Sequence, residues 1–327
     1  MTQTTIESIW EYYKEDLALA EEKINETLKT VAPAISAVGN HLFKSGGKRV
    51  RPFLAILCSR LFGIRGDNVS TLASSVEFIH AASLIHDDVV DGANLRRGQP
   101  AAHSLFGNQV VILVGDFLYA NALRLANLLK RQKIMDALCT ATAKMSEGEL
   151  IQLSKKGNPG MTEEDYIKII QGKTAILISA ACKGGAVLGN ASLEEEDALA
   201  SFGLKFGYTF QITDDILDYM AEEKTFGKSL GKDLEEGKIT LPLIYLLRDA
   251  ENGEAERIKG IIMAENKTEA DMVYIQELFN KYKSIEKSYE KAYTFLNEAR
   301  AELDIFKDSM EKTSLLAIAD YALKRRK

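Results

Sequence analysis

Proline is scarce in this chain, with five residues in 327. Proline breaks helices, so its scarcity leaves room for long ones. Alternating β-branched runs are also few, and the two features together predict an all-α fold. Cysteine is as sparse. Cys58, Cys139 and Cys182 are odd in number and scattered, without metal-ligand spacing. That pattern excludes a disulfide framework and predicts buried thiols in a reducing cytoplasm. No uninterrupted apolar run of roughly 18 residues occurs, so no transmembrane segment is predicted. The first residues, Met1-Thr2-Gln3-Thr4-Thr5-Ile6-Glu7, lack the basic and apolar regions of a signal peptide. Positive charge is not in excess, and a net charge of -6 predicts no nucleic-acid partner. Linkers, low-complexity stretches and solenoid periods are missing too, so residues 1–327 are read as a single domain. Hydrophobic residues make up 46% and charged residues 27%, enough for a sizeable core.

What the chain does have is an acidic turn in an apolar helix. Val76, Ile79, Leu84 and Val90 recur at helical spacing around Asp87-Asp88-Val89-Val90-Asp91. Asp87 and Asp91 are i and i+4 and share a face, with Asp88 about 100° round. Three acids in so short a stretch cost free energy unless a cation offsets them. Hard oxygen ligands suit Mg²⁺, which binds one or two carboxylates, keeps waters and takes substrate phosphates. The spacing recurs at Asp214-Asp215-Ile216-Leu217-Asp218, again after an apolar stretch. Two such turns on facing helices of one bundle would hold metal on both sides of a polyanion.

In chain order, residues 5–30 read as one amphipathic helix, and a second runs from Pro33 to Lys44. Gly46-Gly47-Lys48-Arg49-Val50-Arg51-Pro52 follows, either a solvated basic loop or an anion site beside a helix start. The first acidic helix covers Val69 to Gly92. The loop after it holds Arg96 and Arg97, which either pair with an acid or grip a phosphate near the metal. Helices are predicted over Asn108–Lys130 and Arg131–Leu153. Thr162 with Asp165, and Ser192 with Glu195, mark capped helix starts. Gly172 interrupts a helical pattern, which predicts a kink presenting Lys173 and Thr174. Residues 222–238 form a polar loop with Lys224, Lys228, Lys232 and Lys238, either solvated or a lid over phosphates. Further helices are read over Leu241–Arg248, Glu269–Lys281, Tyr289–Leu303 and Ser309–Leu323. The end, Lys324-Arg325-Arg326-Lys327, is either a frayed basic tail or a flap that reaches an anionic site.

With both acidic turns, the Gly46–Pro52 loop and Arg96-Arg97-Gly98 in family order, the chain resembles the trans-isoprenyl diphosphate (polyprenyl) synthases over roughly residues 35–327. The resemblance implies an all-α bundle around a deep central cavity and a homodimer. It implies that Asp87, Asp88, Asp91, Asp214, Asp215 and Asp218 hold Mg²⁺, three ions per site, on an allylic diphosphate. Arg96, Lys173 and Lys228 would contact that diphosphate. Lys48, Arg51, His80 and Arg97 would bind isopentenyl diphosphate. Thr174, Gln211 and Lys238 would sit near the allylic carbon or its leaving group, and Phe210 near the condensing double bonds. His86, six residues from His80 and on another face, reads as structural.

Family members that stop at short products tend to carry a bulky aromatic four or five residues before the first aspartate. Here Ser83 and Ala82 stand there, with Ile79, Val76 and Ser75 further along the stripe. The growing chain would therefore pass deeper, to a floor at a residue such as Met135 or Leu138. Glu77 through Asp91, Phe106-Gly107-Asn108 and Val114 through Leu118 are most similar to long-chain, octaprenyl-type bacterial synthases that make quinone side chains. The implied substrates are isopentenyl diphosphate and an allylic starter such as farnesyl diphosphate, with transient membrane contact for product release. A short-chain farnesyl or geranylgeranyl synthase is the first alternative. A class I terpene cyclase is disfavoured by the second Asp-rich turn and by Lys48 and Arg51, and a non-catalytic partner subunit by the six intact aspartates.

Overall fold

A computed structural model of the chain describes residues 5–44, 47, 49–96, 98–220 and 231–325. The helices are α1 Ile6–Tyr12, α2 Lys14–Thr27, α3 Pro33–Lys44, α4 Val50–Arg60, α5 Asp67–Asp91, α6 Ala102–Phe106, α7 Asn108–Leu128 and α8 Gln132–Lys155. They continue as α9 Glu163–Ile170, α10 Ile176–Leu188, α11 Leu193–Met220, α12 Lys232–Glu235, α13 Leu241–Asp249, α14 Asn252–Met263, α15 Glu269–Tyr282, α16 Ser284–Glu302 and α17 Met310–Lys324. Among the described residues the strands are two short ones, β1 Leu95–Arg96 and β2 Gln99–Pro100, paired antiparallel. The all-α expectation holds.

Several boundaries follow from local chemistry. Thr162 and Asp165 form the reciprocal capping box that opens α9, and Ser192 and Glu195 exchange the same bonds ahead of α11. Gly92, at φ 63, closes α5 in the left-handed conformation that a side chain would strain. One predicted boundary was wrong. The single helix over 5–30 is interrupted at Tyr13, whose wholly buried ring packs edge-on against Phe53. The backbone leaves the helical path to place that ring. Helix α14 was not foreseen, and α16 starts before Tyr289.

Contacts divide the chain into two compact units. Unit 1 comprises Met1–Thr142, Leu177–Ala200 and Ile305–Ala317; unit 2 comprises Ala143–Ile176, Ser201–Asp304 and Ile318–Lys327. Neither is a contiguous stretch of sequence. In unit 1, α4 is buried almost all round, from Pro52 to Ser59, which marks a core helix. Helix α5 packs against α2, α4 and α7. By length and composition alone α7 could cross a membrane, although it carries Asp116 and Arg124 and is no uninterrupted apolar run. Its Val111, Val114, Leu118, Ala122 and Leu125 are buried within the unit. The core of unit 2 gathers Tyr166 and Ile169 of α9, Ile212 and Ile216 of α11, Leu243 and Leu246 of α13, and Ile275 and Phe279 of α15. Each such side chain contributes about 1.5–3 kcal/mol by leaving water.

Candidate active site

The first acidic turn lies in unit 1, near the end of α5. Ala81, Ile85 and Asp88 fall at i, i+4 and i+7 and are all buried, Asp88 to 2% exposure. Asp88 therefore points the same way as the core stripe, whereas Asp87 and Asp91 are only half-buried. The buried carboxylate is matched by Arg96 of β1. Its Nε donates to Oδ2 and its Nη2 to Oδ1, both at 2.6 Å. Nη2 also reaches the Leu84 carbonyl at 3.3 Å. The turn at Gly92 and the β1–β2 hairpin fold the chain back so that this bidentate pair can form. Arg96 thus pairs with an acid of the turn that it follows.

Asp87 has a neighbour that the sequence did not reveal. The Tyr119 hydroxyl of α7 is pushed up to about 12 by its burial and by the Asp87 carboxylate. His86 lies on the same flank, 3.1 Å from the Ile112 carbonyl, and packs so closely on Gly115 that any Cβ there would collide with its ring. It acts as a spacer between α5 and α7, in keeping with a structural role. Arg51 and His80, both assigned by resemblance to one diphosphate, lie together, with Nη1 and Nε2 3.3 Å apart. Lys48 and Arg97 lie outside the described residues.

On the stripe credited with chain length, Ile79 and Ala82 are wholly buried. Ser83 is half-buried and donates to the His80 carbonyl at 2.9 Å. Leu138 is buried and Met135 half-buried.

The second acidic turn lies in unit 2, on α11. Here Tyr208, Ile212, Asp215 and Tyr219 share the buried stripe, and Asp215 is 5% exposed. Its partners among the described residues are neutral. The Tyr166 hydroxyl donates to Oδ2 at 2.6 Å and Gln211 Nε2 to Oδ1 at 2.8 Å. Thr174 Oγ1 in turn donates to Gln211 Oε1 at 2.6 Å. Burial, reinforced by Asp233, pushes the Asp215 carboxyl well above the usual carboxylate range. Asp218 accepts from the Asp233 amide at 3.0 Å and is also raised, mainly by burial. Asp233 itself is raised to about 7 by burial and by Asp218, against the opposing pull of Lys238 and Lys173.

Lys173 owes its position to a helical defect. Residues Gln171–Ala175 form a π-helical turn between α9 and α10, where the kink was predicted. Gly172 crosses α8 so closely that an added Cβ would lie 2.8 Å from the Gly148 Cα. Lys173 then pairs with Glu149 of α8 at 3.0 Å. Lys238 pairs with Glu236 at 2.7 Å. Tyr166, Lys173, Gln211, Asp215, Asp233 and Lys238 line one pocket of about 90 Å³. At the other side of the turn, Asp214 is 43% exposed and Arg325 approaches it at 2.8 Å. The same guanidinium lies 3.7 Å from the Phe210 ring centroid. Lys228 lies outside the described residues.

Oxygen donors dominate both turns, which fits a hard divalent cation and not zinc or copper. Among the described residues no three acidic, His or Cys side chains converge into a ready-made cage. An ion held here would complete its shell with waters and diphosphate oxygens, as Mg²⁺ does. Tyr119, Glu149, Tyr166 and Asp233 were missed in the sequence. Asp233 had a faint signal, as an acid inside the lysine-rich loop after the second turn. The burial of Asp88 and Asp215 follows from their positions on the apolar stripes of their helices.

Known proteins bear on this arrangement. The profile of the family described as polyprenyl synthetase matches residues 32–279. The chain is 35% identical over 320 residues to the octaprenyl diphosphate synthase of Escherichia coli, covering 98% of this chain and 99% of that one. It is 36% identical over 310 residues to a geranylgeranyl diphosphate synthase of Methanosarcina mazei, covering 92% and 93%. Its fold matches a polyprenyl synthase of Caulobacter crescentus, complexed with calcium and isoprenyl diphosphate, at a TM-score of 0.93, 35% identity and full coverage of both chains.

Proposed function

Because the chain belongs to the polyprenyl synthetase family and is a trans-prenyltransferase, we propose that it builds a long all-trans polyprenyl diphosphate, octaprenyl-like, by repeated 1'-4 addition of isopentenyl diphosphate to an allylic starter. The family uses a divalent metal and these two substrate classes; the octaprenyl relative supports the long product, and the oxygen-only donor set supports Mg²⁺. The single observation that carries the length is the small pair Ala82 and Ser83, one turn before the first acidic turn, where a bulky side chain would stop chain growth.

Asp87, Asp91, Asp214 and Asp218 would hold the metal, with Asp88 and Asp215 fixing the two turns from their buried sides. When bound, Mg²⁺ stabilises the charge that develops on the departing diphosphate. Lys173 adds a fixed positive charge beside the same group, poised by Glu149. Arg96 holds Asp88 through one edge of its fork and keeps Nη1 for a phosphate. Arg51 and His80 orient isopentenyl diphosphate so that its double bond meets the allylic carbon. Thr174, Gln211 and Tyr166 form a hydrogen-bonded line to Asp215 that keeps the second turn rigid. Lys48, Arg97, Lys228 and Lys238 complete the proposed anion contacts, and Phe210 the apolar side. We also take the enzyme to be a cytoplasmic homodimer. Exposed Ile112, Leu113 and Leu128 on α7 favour a second copy, and the buried Cys58 and Cys182 thiols favour a reducing compartment, although Cys139, read as a third buried thiol, is exposed.

The test is Ala82→Tyr, which puts a ring on the wholly buried stripe of α5. Its product should be several isoprene units shorter than that of the wild type when the dephosphorylated alcohols are separated. An unchanged product would mean that residue 82 does not limit growth.

A further inference from the structure

The end of the described chain is tied into the second acidic turn. Arg325 follows α17, and its side chain is 6% exposed. Its Nε donates to the Ala322 carbonyl at 3.1 Å, and its Nη2 donates to the Phe210 carbonyl at 2.6 Å. The same Nη2 stands 2.8 Å from Asp214 Oδ1. The guanidinium plane covers the Phe210 ring at 3.7 Å. Phe210 and Asp214 are i and i+4 on α11, so a single guanidinium brackets one turn of that helix. A guanidinium this far from water persists only where its charge is matched, and Asp214 supplies the match. The base of the C-terminal segment is held independently, by Arg300 of α16 on Asp320 of α17.

Asp214 is also one of the second turn's carboxylates read as a metal ligand, and its remaining exposure gives an ion a way in. A carboxylate gripped by a guanidinium is a poorer ligand, because two cations on one small anion repel. We propose that Arg325 is a metal-linked latch. It stands on Asp214 as a built-in cation, and a divalent ion taken up by Asp214 displaces it and releases the end of α17. The proposal rests on the reading of Asp214 as a metal ligand. By reciprocity, whatever loosens Arg325 strengthens metal uptake by the same factor.

The test is titration of the full-length protein with Mn²⁺ alone, without any diphosphate, followed by electron paramagnetic resonance of the free ion. Arg325→Met keeps an apolar cover on Phe210 but removes the charge. It should bind Mn²⁺ about fivefold to tenfold more tightly than the wild type. Arg325→Lys, which keeps the charge, should stay near the wild type. Equal or weaker binding in Arg325→Met overturns the latch, provided that Asp214→Asn loses binding. Unchanged binding in Asp214→Asn overturns the metal reading of Asp214, and the latch with it. Should the methionine variant not fold, the wild type still decides. Labelling of Arg325 by phenylglyoxal, read by peptide mass spectrometry, should speed up several-fold at saturating Mn²⁺, and an unchanged rate contradicts the latch.

Discussion

The two acidic turns have the same Asp-Asp-x-x-Asp spacing and solve the same problem in opposite ways. In each, the second aspartate falls on the apolar stripe of its helix and is buried, Asp88 to 2% and Asp215 to 5% exposure. Helical geometry demands this: i and i+4 share a face, and i+1 turns about 100° away toward the core. The first turn matches its buried acid with a cation, the bidentate Arg96. Among the described residues the second offers its buried acid the neutral donors Tyr166 and Gln211, with Asp233 adding a further acid nearby. The first is therefore compensated from within its own loop, whereas the described donors to the second carry no charge. The cations of unit 2 stand on other acids around this turn, Lys173 on Glu149, Lys238 on Glu236 and Arg325 on Asp214. Motif spacing describes ligands; the stripe and its neighbours decide what each carboxylate does.

The largest expected effects fall on the outward members of each turn, where the two should behave alike. Asp87→Ala and Asp214→Ala should each lower turnover by roughly a thousandfold with circular dichroism unchanged. Near-normal turnover in either would remove that turn from the metal site. The buried members should differ. Asp88→Asn leaves Arg96 without its counter-ion and should cost about 2 kcal/mol of stability, reduced from a fully buried pair because Arg96 is partly exposed. Asp215→Asn keeps an acceptor for Tyr166 and removes a charge that burial already disfavours, so urea unfolding at neutral pH should change by less than about 1 kcal/mol. Equal losses at 88 and 215 would erase the contrast.

The smallest effect concerns a compensated acid outside both turns. Asp249 is lowered from its ordinary 3.8 to about 2 by Arg248 and then Lys287. A depressed folded-state pKa adds stability that is whole above about pH 4 and is lost as pH falls through about 2. The stability gap between wild type and Asp249→Asn should therefore narrow in melts taken progressively below pH 4. A gap that widens in acid would contradict stabilisation of Asp249, and by extension of Asp88, by a paired guanidinium.

Much of this was visible in the sequence where a feature is local. The aspartate spacing, the caps at Thr162 and Ser192 and the break at Gly172 each depend on a few consecutive residues, and each was found where it was read. The break became a π-turn because Gly172 and Gly148 let two helices cross at close range. What stayed hidden was long-range. Tyr166 reaches Asp215 across 49 residues, and Arg325 reaches Phe210 across 115. No periodicity links such pairs. The interruption at Tyr13 escaped for the same reason, since its cause is a ring on Phe53. From sequence the basic tail is either a frayed end or a flap on an anionic site. Arg325 shows that its first part does meet an anion, a carboxylate of the protein itself.

Under the proposed function this enzyme elongates an allylic diphosphate well past the short-chain stage. The most direct measurement incubates the purified protein with Mg²⁺, labelled isopentenyl diphosphate and farnesyl diphosphate, then separates the dephosphorylated products by length. A ladder ending several isoprene units beyond geranylgeraniol is the predicted result. A ladder that stops at geranylgeraniol would contradict the open path past Ala82 and Ser83, and no incorporation would contradict the proposed synthase activity itself.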